Sequence, residues 1–355
     1  MGRTDYERTF AAPIDLRSDL MGARPPSVAD AMATAATQPP AMSYGEDPYE
    51  QVLMETLVTE LGVEAALLVP TCTMANQIAI RLHLPDGGAI ASGALAHIVT
   101  VEARATALTG VTGHVLAADH GHPAPDTVAD FLRGRDGSTG ALVWLENTHM
   151  LSAGSVMPAG WQDEIAAACR GARCALHLDG SRLWNAAVAQ GAPMSALTAG
   201  CDTVSLSLNK AIGAPLGSVL VGSKATIEAA KGLRDALGGE WRPIGVIAAA
   251  ASAALEGWRE RLEAITVMTK VLADKLVQRL GAEAAHPAST NLIFLNRPTG
   301  DGSIFVEVLA RLGVKTIIVT PNIVRLAIHN GVRAPEVERI VAAIVAADAE
   351  RAAAA

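Results

Sequence analysis

Cysteine is scarce: the 355 residues hold four, Cys72, Cys169, Cys174 and Cys201. None forms a C-x-x-C pair and no histidine stands at zinc spacing beside them. The expectation is a reduced, cytoplasmic chain. A run of about 18 uncharged apolar residues is missing, so no membrane span is expected. The apolar run from Ile244 to Leu255 is too short to cross and reads as a buried helix. The first twenty residues lack an apolar core and carry Arg3, Asp5, Glu7, Arg8, Asp15, Arg17 and Asp19, so no secretory leader is expected. An excess of positive charge is missing too: 28 Lys and Arg against 36 Asp and Glu leave −8. Phosphate neutralisation needs a basic face, so a general nucleic-acid binder is disfavoured.

What is present is apolar. Hydrophobic residues make up 50% and charged residues only 18%. Such a chain is too apolar for disorder and long enough for about two domains. Leu142 to Leu145, Cys174 to Leu178, Thr203 to Leu208 and Ser218 to Val221 read as strands. Ala-rich amphipathic segments such as Trp161 to Arg170 and Ser195 to Gly200 lie between them. That rhythm predicts βαβ units and a mostly parallel sheet buried on both faces. After about Gly245 the texture changes. A helical stretch runs from Ile244 towards Leu280, interrupted near Gly257. Strands at Asn291 to Leu295, Lys315 to Val319 and Val324 to Ile328 follow, with helices at Ile304 to Leu312 and Pro335 to Ala347. The expected division is a large domain over residues 1–245 and a smaller α+β domain over residues 246–355.

The segment Ala175 to Asn185 reads ALHLDGSRLWN, with Asp179 at the carboxyl end of an apolar strand. Open α/β sheets bind their ligands there. The carboxylate has two readings: a cap for the following helix, or a partner for a cationic ring nitrogen. Further on, Lys210 ends another apolar strand and enters the Gly/Pro loop Ala211-Ile212-Gly213-Ala214-Pro215. A lysine placed so is costly unless it is paired or used covalently. A Schiff-base lysine with an aspartate on the pyridinium nitrogen is the pairing that pyridoxal phosphate needs. Pro70 to Gln77 follows the apolar run Ala65 to Val69 and opens a helix with hydroxyls at Thr71 and Thr73. It reads as a phosphate cradle or as an ordinary capped helix.

With these residues in view, the sequence resembles the low-specificity L-threonine aldolases, of the aspartate-aminotransferase-like superfamily. The resemblance is carried by Asp15 to Asp19, Tyr44-Gly45-Glu46-Asp47-Pro48, Pro70 to Gln77, Ala96-His97, Glu146 to His149 and His177 to Asn185. Asp202 to Lys210, Gly238 to Arg242 and Ile323 to Leu326 complete it, in order over nearly the whole chain. It implies an α/β protein of fold type I that binds pyridoxal 5'-phosphate. It also implies cleavage of β-hydroxy-α-amino acids such as L-threonine or L-allo-threonine to glycine and an aldehyde. Lys210 then matches the Schiff-base lysine and Asp179 the aspartate on the ring nitrogen. His97 matches the histidine that stacks on the ring and lies near the substrate hydroxyl, where it is the candidate base. Arg182 and Arg325 match the arginines that hold the substrate carboxylate, with Ser18 as a third contact. Thr71, Cys72 and Thr73 fall where the family cradles phosphate. Tyr44 and Arg242 match residues given across a subunit interface, in enzymes that are usually tetramers built of dimers. His149 and Asn147 face substrate or order their loop. Arg17 is read as pairing with a nearby acid, and His114, His120, His122 and His286 as solvated surface.

The sequence also departs from the family pattern. Cys72 stands where the phosphate loop usually has Gly, Asn209 where Ser precedes the lysine, and Ser181 where Ala precedes the arginine. Glu240-Trp241-Arg242-Pro243 replaces Gly-Met-Arg-Gln, and Met150 to Gly154 replaces a Gly-rich stretch. Pro40 to Ser43 replaces Val-Gly-Asp-Asp, and no metal is expected. Trp241 and Met150 favour a bulkier, aryl, β-substituent. Two alternatives remain: a pyridoxal-phosphate enzyme that performs β-elimination or dehydration, and a non-catalytic relative of the fold.

Overall fold

The computed structural model describes residues 13–42, 45–135, 139–285, 288–297 and 300–354. Two compact units divide between Leu262 and Glu263, and the segment up to Ala23 belongs with the C-terminal unit.

The larger unit is built on a seven-stranded sheet. Its strands are β1 (Ala65–Val69), β2 (Ala89–Gly93), β3 (Thr112–Leu116), β4 (Ala141–Glu146), β5 (Ala175–Gly180), β6 (Thr203–Ser207) and β7 (Ser218–Gly222). Their spatial order is β1-β7-β6-β5-β4-β2-β3. Strands β6, β5, β4, β2 and β3 pair in parallel, and β7 runs antiparallel to both its neighbours. Residues of β4 and β6 are buried throughout. Helices cover both faces of such a sheet, so its strands read as unbroken apolar runs. Strand β7 returns directly from β6 with Ser218 opposite Ser207, so the loop between them, which holds Lys210, is a hairpin loop.

Helix α1 (Cys72–His83) follows β1. It starts where it does because Thr71 is extended (φ −143°) and its hydroxyl accepts from Met74 N. Such a cap contributes about 1 kcal/mol. Arg81 in the last turn complements the helix dipole. Ala75, Ile78 and Ala79, at i, i+3 and i+4, pack with Leu67, Val69, Leu220, Ile227 and Ala230. A second cluster of Ile80, Leu84, Ile90, Ala96, Ile98, Leu142 and Trp144 fills the space under β2 and β4. Helix α2 (Leu183–Gln190) follows β5. The carboxyl ends of the parallel strands thus carry Pro70 and Thr71, His97, Glu146, Asp179 and Lys210 on one edge of the sheet.

The smaller unit contains a three-stranded antiparallel sheet, β8 (Leu292–Asn296), β9 (Ile317–Thr320) and β10 (Ile323–Ala327), in the order β8-β10-β9. Ile14–Asp15 pairs in parallel with Val314–Lys315. The boundary expected between residues 245 and 246 is therefore displaced. Ile244–Leu255 is apolar on most sides and packs on Pro26–Ala36 and Pro48–Leu61 within the larger unit. Gly257 (φ +58°) ends that helix, and the division falls within the next, Trp258–Leu280. The expected strand Lys315 to Val319 is split at Thr316, one part pairing with the N-terminal segment and the other with β10.

Candidate active site

Asp179, on β5, is 1% exposed. Asn76 Nδ2 donates to its Oδ2 (3.0 Å), and Ser181 N (3.1 Å) and Oγ (2.8 Å) donate to its Oδ1. Helix α2 has no side-chain cap, so Asp179 is not the helix cap. Burial opposes its charge, yet the charges of His97 and Lys210 and the Ser181 hydrogen bonds outweigh burial and hold it below the ordinary carboxylate range. A buried, ionised carboxylate is retained where a cation or a protonated ring can meet it.

Lys210 is half-buried, and its charge acts on both Asp179 and Cys72. Its loop is fastened by Ser207 Oγ donating to Asn209 Oδ1 (2.7 Å) and by Ala214 N donating to Leu208 O (2.9 Å). Burial pushes the Cys72 thiol up, against the pull of Lys210, with Ser181 and Ser218 beside the sulfur. Thr71 caps α1, and Thr73 Oγ1 donates to Glu102 Oε1 (3.1 Å). The capped-helix reading of this segment holds: the Thr71 hydroxyl takes the Met74 N–H.

His97 stands after β2, and its backbone N donates to Glu146 Oε2 (2.7 Å). Its Nδ1 lies 3.0 Å from Glu102 Oε1. Burial pulls its pKa down, but Glu102 first, then Asp179 and Glu146, carry it above the ordinary imidazole value. His97, Glu102 and Asp179 each place a ligand-type atom within 4.8 Å of the others. One imidazole and two carboxylates could hold a divalent cation by donor type, although Asn76 and Ser181 already occupy the Asp179 oxygens. Glu146, the last residue of β4, is buried and pushed up to about 7 by desolvation and the Asp179 charge. Its oxygens accept from Met150 N (2.8 Å) and His97 N.

His149 is fully buried, and burial lowers its pKa to about 4. Both ring nitrogens lack a hydrogen-bond partner, and Nε2 is 3.8 Å from Glu146 Oε2. A Cβ on Gly121 (φ +87°) would come within 2.3 Å of its ring, so only glycine fits there. The His122 ring meets it edge-on, with centroids 5.8 Å apart. His122 is 2% exposed and its Nε2 is 3.1 Å from Ser155 Oγ. The expected solvated His122 is thus overturned, because the turn at Gly121 folds its ring inward. His114 and His120 are exposed as expected; His286 lies outside the described residues.

The structure brings Lys210, Asp179, His97, Cys72 and Thr73 together, and Arg182 is buried at the start of α2. Arg242 is partly exposed; its Nε (2.9 Å) and Nη2 (2.6 Å) donate to Met42 O, and it pairs with Glu240. Tyr44 lies outside the described residues. Ser18 and Arg325 belong to the other unit, where Ser18 Oγ accepts from Leu20 N (3.3 Å) and Arg325 Nη2 donates to Arg17 O (2.8 Å). Arg17 pairs with Asp15 as expected. Sequence reasoning assigned no role to Asn76, Glu102, Glu146 or His177. Asn76 carried a signal, a polar residue on the helix face that holds Ala75, Ile78 and Ala79.

The beta-eliminating lyase family profile matches residues 15–297, and the chain belongs to that family. Its relatives include low-specificity L-threonine aldolase 1 of Arabidopsis thaliana, 32% identical over 335 residues, covering 91% of this chain and 93% of that protein. The low specificity L-threonine aldolase of Escherichia coli K12 is also 32% identical, over 93% of this chain and 97% of that protein. Among solved structures, Leishmania major threonine aldolase is similar with a TM-score of 0.78 at 21% identity, covering 94% of this chain and 98% of that one. Sphingomonas wittichii serine palmitoyltransferase is similar with a TM-score of 0.76 at 16% identity, covering 95% and 88%. The fold is the fold type I expected from the sequence.

Proposed function

We propose that this chain is a pyridoxal-phosphate-dependent aldolase. It cleaves the Cα–Cβ bond of L-threonine, L-allo-threonine or related β-hydroxy-α-amino acids to glycine and an aldehyde. The observation that carries this reading is the buried, ionised Asp179 at the strand tips, within the field of Lys210 and His97. The residues fit the cofactor. A carboxylate offers about four lone-pair sites; the donors from Asn76 and Ser181 fill three, which leaves one for a protonated ring nitrogen. Lys210 supplies the amine that holds the cofactor. The α1 N-terminus, with the Thr71 hydroxyl proton, Cys72 and Thr73, supplies donors for its phosphate.

When bound, the cofactor takes up the electron pair released as Cα–Cβ breaks. Asp179 keeps a proton on the ring nitrogen. Glu102 holds His97 at Nδ1, which leaves Nε2 to take the β-hydroxyl proton as the C–O bond becomes a carbonyl. Arg182, buried at the start of α2, supplies a cation for the substrate carboxylate. Tyr44 and Arg242 serve a site across a subunit interface, in a tetramer built of two dimers that light scattering would detect. Met150, whose N–H is held by Glu146, and Trp241 favour an aryl β-substituent. No helix among the described residues is long and apolar enough to cross a membrane, and the four cysteines are free, which agrees with a cytoplasmic setting.

The test is product analysis on L-threonine, L-allo-threonine and phenylserine with pyridoxal 5'-phosphate present. Glycine plus aldehyde is expected; ammonia plus a keto acid would replace this reading with β-elimination. Faster turnover of threonine than of phenylserine would remove the aryl preference.

A further inference from the structure

Behind Asp179 lies a line of buried polar groups that the chemistry above leaves unused. His83 Nε2 is 2.9 Å from Thr203 Oγ1, and the same hydroxyl is 2.8 Å from His177 Nδ1. His177 Nε2 is 3.3 Å from Asn76 Oδ1, which also accepts from Ser205 Oγ (2.7 Å). Asn76 Nδ2 then donates to Asp179 Oδ2 (3.0 Å) and to Glu102 Oε1 (3.2 Å). Asn76, His177, Thr203 and Ser205 are fully buried. The Trp144 ring lies against His177, with centroids 4.1 Å apart.

The ends of this line dictate its direction. Ionised Asp179 can only accept, so Asn76 turns its NH2 towards the acids and its carbonyl towards His177. A carbonyl also only accepts, so His177 carries its proton on Nε2. Its Nδ1 then takes the proton of Thr203, whose oxygen is left to accept from His83. Every donor points towards the two acids, and the Asn76 amide makes all four hydrogen bonds open to it. Burial pushes the His177 ring down to about 3, so it stays neutral and keeps this tautomer near neutral pH.

We propose that Asn76, His177 and Thr203 are positioning residues: their one-way line of hydrogen bonds fixes Asp179 and Glu102 together, so that a single amide sets both the partner of the cofactor ring and the partner of His97. The proposal rests on the role given to Asp179 above. Partners one layer behind a ligand typically set about tenfold or more of its affinity, as measured for metal sites.

Thr203→Val removes the hydroxyl at nearly constant shape, and Thr203→Ser keeps it. Histidine-selective 15N NMR of the cofactor-free protein reads the His177 tautomer directly. A proton on Nε2 is expected in the wild type and in both variants, because the Asn76 carbonyl dictates it from the other end of the line. Titration with pyridoxal 5'-phosphate should give a Kd about tenfold weaker for Thr203→Val alone, with an altered pH dependence of the bound cofactor's absorbance. A wild-type His177 protonated on Nδ1 overturns the proposal, even if Thr203→Val does not fold. Equal Kd and equal absorbance profiles for the Val and Ser variants overturn it as well. A wild type that binds no pyridoxal phosphate would sink the functional reading, while the tautomer still decides the direction of the line.

Discussion

The two flanks of the strand-tip cluster differ in how fully their polar atoms are engaged. On the Asp179 flank, Asn76, Ser181, Ser205, Thr203 and His177 are tied to one another at 2.7–3.3 Å. On the His149 flank, both His149 nitrogens, His122 Nδ1 and Thr148 Oγ1 are buried without partners. A buried polar atom left unpaired costs about 1–3 kcal/mol. The first flank therefore suits a group that stays, and the second a molecule that comes and goes, bringing hydrogen bonds with it.

The largest effects should come from the engaged flank. Lys210→Ala should lower kcat on the order of 10⁶-fold, the scale on which losing a covalent nucleophile acts. Asp179→Asn should lower kcat by about 10⁴-fold, as neutralising a buried aspartate on a ring nitrogen does elsewhere. A residual rate near wild type in either variant would dissolve the contrast. A change of opposite signs comes next. His149→Phe should slow turnover by about tenfold, the worth of a hydrogen bond lost to the bound molecule, while leaving the melting temperature equal or higher. Asn76→Ala should instead lower stability by about 2–3 kcal/mol, because it strips charged hydrogen bonds from buried acids. Equal losses of stability from both variants would erase the distinction.

The smallest effect is on pH dependence. Glu146 rises from 4.5 to about 7 in the fold. The native state keeps its proton where the unfolded state has lost it, so this stability is full below 4.5 and is lost as pH rises to about 7. His122 and His149 fall from 6.5 to about 4. Their contribution is full above 6.5 and is lost as pH falls towards 4. Glu146→Gln should therefore make stability rise more steeply with pH between 4.5 and 7, and His149→Phe should make the same rise shallower. Calorimetry across that window reads both; parallel curves would show that the two groups do not titrate as described.

Asp179 and Lys210 were legible because a charge at the end of an apolar strand has few reasons to be there, and the resemblance then supplied His97. The register that places them together was not legible, since β7 reverses direction while its apolar run reads like any other. His122 was misread because it sits two residues from exposed His120 in a polar loop; its burial depends on Ser155, 33 residues away. Glu102 follows an exposed valine and precedes an exposed helix, so nothing local marks it as the partner of His97. The N-terminal strand is only two residues long, too short for any periodicity to show.

The Lys210 amine hangs from a loop with both feet planted in adjacent strands, at Ser207 and Ser218. Main-chain travel is curbed on either side, and the reach of the amine is left to four methylene groups. Such a tether acts as a leash of set length: lengthening the stretch between Ala211 and Gly217 would leave the sheet whole and spoil the aim.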